Sequence, residues 1–247
     1  WVRRYHRMGR VRETMIGFQI DVTGYQHKEG KLDMYTGHKI APGFFAWAIP
    51  TGTTTRIGTF SRPDLLGSRS SEETLTELIN HELWKHRFDG CSEVGRYCGP
   101  VPAKPIRKPA VGRVFVFGDA AGLCKPTTGG GIGPGFLHVD NSLELISNVI
   151  GSDRPNLNAT DRLARQIIKP IMKRHNRARA LRDFFLTNST DEELESIFRI
   201  WARPDVIEII QKYGEIENPV PLGLKMLKDV PEFRRIAIKA ANSLVFA

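Results

Sequence analysis

Asp119 is where a chemical reading of this chain begins. It follows four apolar residues, Val114 to Phe117, and one glycine, and seven glycines lie between positions 118 and 135. An acid at the carboxyl end of a buried strand can accept hydrogen bonds from ligand hydroxyls, and open α/β sheets bind their ligands at that end. Each glycine gives up side-chain packing and raises the entropy lost on folding, so a run of them implies that something large approaches bare backbone. A helix starting near Gly131 or Ile132 would aim unpaired N–H groups and the positive end of its dipole at a planar or anionic ligand. The competing reading is a glycine-rich turn that serves only a tight strand-to-helix connection.

Two phosphate-binding patterns do not fit. A P-loop closes its glycine run with Gly-Lys-[Ser/Thr], whereas Lys125 precedes this run. A dinucleotide fingerprint read from Gly129 requires glycine where Pro134 stands. Cys91, Cys98 and Cys124 show no CxxC spacing, so free thiols are expected and no metal site is indicated. Cys124, beside the glycine run, is a weak candidate for a proton donor; the alternative is a small buried residue. His81, His86 and His175 read as solvated surface, and His138 as structural.

These residues need elements to position them. Phe18, Ile20 and Val22 alternate with polar neighbours, as do Phe45, Trp47 and Ile49, which is the period of half-buried strands. Antiparallel hairpins over the first seventy residues are the simplest account. Ser70 and Glu73 form a capping-box pattern for a helix expected to end near Phe88. A proline-rich extended connection, 99–110, leads to the strand Val114 to Phe117, which is apolar throughout, as in a parallel sheet. From about Leu137 the chain reads as helical, with breaks at Pro155, Pro170, Pro204 and Pro219-Val-Pro221.

The composition, 40% hydrophobic and 26% charged, is that of a globular protein. No apolar run is long enough to span a bilayer. The net charge is +9, and residues 162–182 hold eight Lys/Arg and no acid. That segment can be a basic amphipathic helix on an anionic membrane surface. It can equally be a helix packed on its domain with a solvated charged face. Nothing there indicates nucleic acid.

The stretch GDAAGLCKPTTGGGIG, residues 118–133, resembles the second flavin-contacting motif of the para-hydroxybenzoate-hydroxylase-like flavoproteins. Within them it is most similar to the geranylgeranyl reductase family. PGFFAWAIP, residues 42–50, resembles that family's Pro-x-x-Tyr-x-Trp-x-Phe-Pro signature, with Phe45 and Ile49 in place of the tyrosine and phenylalanine. Trp1-Val2-Arg3-Arg4 is similar to the tail of the family's Asp-Gly-x-x-Ser-x-x-Arg-Arg motif. That last likeness implies the carboxyl-terminal portion of a longer flavoenzyme, without the amino-terminal GxGxxG unit, and inactive alone.

The resemblance implies an α/β (α+β) fold. An antiparallel β substrate domain with one helix is expected over 1–105, the second half of a doubly wound FAD-binding domain over 106–155, and a helical region over 156–247. Gly118, Asp119, Ala120, Gly122, Thr128, Gly129, Gly130, Gly131 and Ile132 are the implied FAD-binding residues. Phe45, Trp47 and Ile49 are the implied wall for a prenyl chain, although aromatics on a strand are also ordinary core. The implied activity is FAD-dependent reduction of isolated C=C bonds in geranylgeranyl lipids, with ferredoxin or reduced nicotinamide as donor. The implied location is cytoplasmic, peripheral on the inner face of the membrane. Rival readings are a flavin monooxygenase or flavoprotein–quinone oxidoreductase of the same fold, and a flavin-free lipid-binding or interaction module.

Overall fold

Alternation of buried Phe18, Ile20 and Val22 with more open neighbours builds an interior strand of the sheet. The computed structural model describes residues 1–215 and 220–245 and falls into two compact units, Trp1–Ala178 and Arg179–Ala247. In the first, a short helix α1 (Val2–Tyr5) precedes β1 (Thr14–Thr23), β2 (Asp33–Tyr35), β3 (Ala46–Pro50) and β4 (Thr55–Ser61). Helix α2 (Ser71–Ile79) and the long strand β5 (Ser92–Pro102) follow. The five strands form one antiparallel sheet in the order β2-β3-β4-β1-β5.

One face of this sheet is a conventional core. Phe18, Ile20 and Val22 of β1 lie with Ala46, Ala48 and Ile57 against Leu75 and Leu78 of α2. The capping box forms as the sequence predicts: Ser70 Oγ accepts from Glu73 N–H (3.1 Å), and Ser70 N–H donates to Glu73 Oε2 (2.5 Å). The helix nevertheless stops at Ile79, not near Phe88. Residues beyond Asn80 fold into turns and a single 3-10 turn, Lys85–Arg87, where the Trp84 indole N–H donates to the Leu78 carbonyl (2.9 Å). That bond folds the chain back across the helix end. At the same edge, the hydroxyls of Tyr25 and Tyr35 lie 2.6 Å apart, Tyr25 donates to Asp33, and Arg87 pairs with Asp33.

The expected parallel strand is the clearest departure. Two short strands, β6 (Ala110–Val111) and β7 (Val114–Phe115), pair with each other antiparallel, and β7 is half-buried. Among the described residues no strand lies parallel to it. With one partner, an apolar strand is shielded on fewer sides than its composition suits. Helices α3 (Ile132–Asp140), α4 (Leu143–Ile150) and α5 (Leu157–Arg182) follow.

Pro170 lies inside α5 without ending it, contrary to the expected break. Its ring stands on the exposed side of the helix, while Ala164, Ile168 and Ile171 are buried around it. Packing of that face offsets the one backbone bond a proline removes. His175, expected at the surface, is buried as well.

The second unit has its own core. Helices α6 (Asp191–Trp201), α7 (Pro204–Tyr213), α8 (Val220–Asp229) and α9 (Pro231–Val245) gather around Val206, Met226 and Val230. The expected break at Pro204 falls between α6 and α7, and the proline opens α7, since the first turn needs no N–H there. Pro219 lies outside the described residues, and Pro221 sits in the first turn of α8.

Candidate functional site

The glycine-rich segment is held largely by backbone hydrogen bonds. Gly118–Ala121 makes a 3-10 turn closed by Gly122 at φ 78°, a left-handed conformation. A Cβ at Gly122 would strike the Lys104 carbonyl oxygen and lie 3.2 Å from Pro105 Cα. Two bonds then tie the segment to the proline-rich connection: Ile106 N–H to Ala121 O (3.0 Å) and Cys124 N–H to Pro102 O (3.2 Å). Ala121 and Leu123 enter a core with Met8, Ile106, Val116 and Ile171. The next six residues close on themselves, with Gly129 N–H donating to Lys125 O (2.9 Å) and Lys125 N–H to Gly130 O (3.0 Å).

Helix α3 starts at Ile132, as the pattern predicts, and no side chain caps its N-cap residue, Gly131. The Asp119 carboxylate fills the place where a Cβ at Gly131 would stand, with Cγ 3.0 Å and Cys124 Sγ 3.4 Å from that point. Thus an acid, a thiol and a bare helix terminus converge. A carboxylate there is favoured by the helix dipole. The Cys124 thiol is buried, and its pKa is pushed up to about 12 by desolvation first and then by its hydrogen bond to Asp119. A thiol this weak as an acid keeps its proton and donates a hydrogen bond to the carboxylate. Asp119, Ala120, Thr128, Gly130 and Ile132 are exposed, Gly118, Gly129 and Gly131 are half-buried, and Gly122 is buried.

One partner of this loop lies far from it in the chain and carries no local signal. Phe60, on β4, lies across the sheet from Gly17, and a Cβ at Gly17 would come 2.7 Å from its Cε1. The opposite edge of the same ring meets Gly129, whose Cβ would lie 2.7 Å from Cε2. The ring is therefore seated between a strand glycine and the glycine loop. Trp47 repeats the device one row along: its indole covers Gly58, with Cε2 2.7 Å from a Cβ built there. An isolated glycine in a strand is the sequence signal for such close approach, and Gly17 and Gly58 both carry it.

The second face of the sheet thus differs from the first. Phe44, Phe45, Trp47 and Phe60 pack edge to face and stacked, with Trp47 and Phe60 centroids 4.8 Å apart. Trp47 is 8% exposed, so its ring is packed within this cluster, while Ile49 is partly open. The aromatic cluster reaches the glycine loop through Phe60.

His138, on α3, is buried against the ring of Phe117 at 4.8 Å, and no partner reaches its Nδ1. Desolvation lowers its pKa to about 4, so it is a neutral packing residue. Among the described residues no group of His, Cys, Asp and Glu could hold a metal ion. An open cleft of about 1160 Å³ is lined by Trp1, Arg3, Arg4, Tyr5, Gly9, Arg10 and Val11, and the glycine loop contributes nothing to it.

Comparison with known proteins follows the same lines. No family profile matches the chain. An uncharacterized protein of Methanocaldococcus jannaschii is 25% identical over 221 residues, 89% of this chain and 54% of that protein. Digeranylgeranylglycerophospholipid reductase of the same organism is 28% identical over 207 residues, 81% of this chain and 50% of the enzyme. A solved structure, a geranylgeranyl bacteriochlorophyll reductase-like protein of Thermoplasma acidophilum, shares the fold with a TM-score of 0.72. At 18% identity it covers 94% of this chain and 56% of its own. The chain spans about half the length of the two Methanocaldococcus jannaschii relatives. The shared fold is a mixture of helices and antiparallel sheet with a helical carboxyl-terminal region.

Proposed function

We propose that the chain forms the loop-and-sheet half of an FAD-dependent reductase that saturates isolated double bonds in geranylgeranyl lipids. The observation that carries this reading is the meeting of Asp119, Cys124 and Gly131 at the uncapped start of α3. A bare glycine at a helix terminus, flanked by an exposed acid, suits a planar heterocycle with polar edges and an attached polyol chain. Asp119 would accept hydrogen bonds from that chain's hydroxyls. The N–H groups at the start of α3 would face the ring's acceptor edge, where negative charge collects on reduction. Bound FAD would supply the electron pair for the reduction.

Cys124 holds Asp119 in place in this reading and does not deliver the proton to substrate. Its raised pKa supports that division of roles. Phe45, Trp47 and Ile49 belong to the aromatic face that abuts the loop through Phe60. They form the apolar wall along which a prenyl chain would lie. Prenylated lipid and an external electron donor, ferredoxin or reduced nicotinamide, complete the reaction.

The test uses the full-length protein. It is expected to purify with the visible absorbance of oxidised flavin and, once chemically reduced, to add two hydrogens per double bond to a digeranylgeranylglycerophospholipid, read by mass spectrometry. A flavin-free protein would refute the cofactor assignment. A flavoprotein that leaves the lipid mass unchanged, or adds oxygen to it, would refute the reductase assignment.

A further inference from the structure

Helix α5 has a cationic crest that its fold does not use. Its inner side is Ala164, Ile168 and Ile171, all buried, and Ile171 packs in the core beneath Ala121 and Leu123. At 3.6 residues per turn, Arg162, Arg165, Lys169, Lys173 and Arg177 fall on the opposite side, and all five are exposed. Among the described residues no carboxylate pairs with any of them. The acids of this segment do not neutralise it, because 162–182 contains none. From Arg162 to Arg177 the crest is about 22 Å long at the helical rise.

Such a line of like charges repels itself, so it weakens the free helix unless something anionic meets it. We infer that this crest docks the protein on an anionic phospholipid surface. The apolar side of α5 is occupied by the protein's own core, so the helix does not bury itself in the bilayer; it lies on the headgroups through its cations. The convex ridge of a helix presents all five charges to a plane at once, and Leu163, 45% exposed, flanks them. This inference rests on charge and geometry and stands or falls independently of the flavin reading.

The experiment is co-sedimentation of the full-length protein with vesicles of phosphatidylglycerol mixed with phosphatidylcholine, against vesicles of phosphatidylcholine alone. Binding is expected to the anionic vesicles only, and to fall as salt shortens the reach of the charges. Each cation removed from the crest should weaken it about fivefold, so Lys169→Gln with Lys173→Gln should weaken it about twenty-five-fold. Gln is an adequate helix former at these exposed positions, so folding is retained. The same pair of changes at Lys28 and Lys31, exposed on the loop between β1 and β2, should leave binding nearly unchanged. Equal binding to neutral vesicles, or equal losses from both pairs, would overturn the inference. So would failure to bind vesicles while an acidic redox protein is retained in a salt-sensitive way, which would make the crest a protein-docking surface.

Discussion

Three consecutive glycines, 129 to 131, should respond to alanine in three different ways. At Gly129 the backbone has φ 71°, where an L side chain costs roughly 1–2 kcal/mol. The new methyl would also meet Phe60 at 2.7 Å and 3.1 Å, and that ring is backed by Gly17 and the aromatic cluster, so it has little room to yield. Overpacking of this kind adds about 1–3 kcal/mol. The total, about 2–5 kcal/mol, should lower Tm by roughly 4–20 °C at this size. At Gly130 the nearest atom is Thr128 Oγ1 at 3.3 Å, and alanine should be nearly neutral. At Gly131 the backbone is already helical, with φ −102° and ψ −19°, and the clash is with the exposed Asp119 carboxylate, which can swing aside. Folding should change by less than about 1 kcal/mol. Flavin binding should suffer instead, because a displaced Asp119 loses a charged hydrogen bond worth about 1.5–3 kcal/mol, or about 10- to 100-fold in Kd. Thermal melts and flavin titration of the stripped full-length protein read the two effects separately. If Gly131→Ala melts as early as Gly129→Ala, or binds flavin as tightly as the parent, the placement of Asp119 against the helix start is wrong.

His138 predicts an acid-side loss of stability. Its folded pKa, about 4, lies below the usual 6.5, so the unfolded chain takes up the proton first. The contribution is complete above pH 6.5 and declines as pH falls toward 4, by up to about 3 kcal/mol; His138→Gln should flatten denaturant midpoints over that window. Alkylation by iodoacetamide followed by mass spectrometry should label exposed Cys98 readily and buried Cys124 last, since the Cys124 pKa of about 12 leaves almost no thiolate. Early labelling of Cys124 in the folded protein would contradict its contact with Asp119. Asp33→Asn should destabilise the sheet edge by about 2 kcal/mol, because Arg87 loses its counter-charge beside the paired hydroxyls of Tyr25 and Tyr35; urea unfolding of the variant measures it.

What the sequence announces and what it conceals divide by the range of the forces involved. The capping box at Ser70, the alternation along β1 and the start of α3 are local, and each is legible from a handful of adjacent residues. The end of α2 is not, because a Trp84 bond to the Leu78 carbonyl and the Tyr25–Tyr35–Asp33–Arg87 group decide where the chain leaves the helix. Pro170 misleads for the same reason: propensity argues for a break, and the burial of Ala164, Ile168 and Ile171 overrides it. The strand 114–117 reads correctly as apolar, but composition names no partner, and the antiparallel neighbour it takes is five residues away or fewer.

The site shows the division most sharply. The residues of the glycine loop are visible in the chain because glycine leaves a pattern. Phe60 is an ordinary strand residue until β4 is set beside β1 and its ring is found between Gly17 and Gly129. That contact makes the glycine loop and the aromatic face one mechanical unit. A change that lifts Phe60 should therefore move, through Gly129, the loop that carries Asp119 and Gly131. Phe60→Leu, which stays apolar but is smaller and opens the wedge, should accordingly loosen flavin binding as well as lower stability, whereas a large-to-small change on the other face, Leu78→Ala, should lower stability alone. Equal flavin affinity in both variants would separate the loop from the sheet and leave the aromatic cluster as packing.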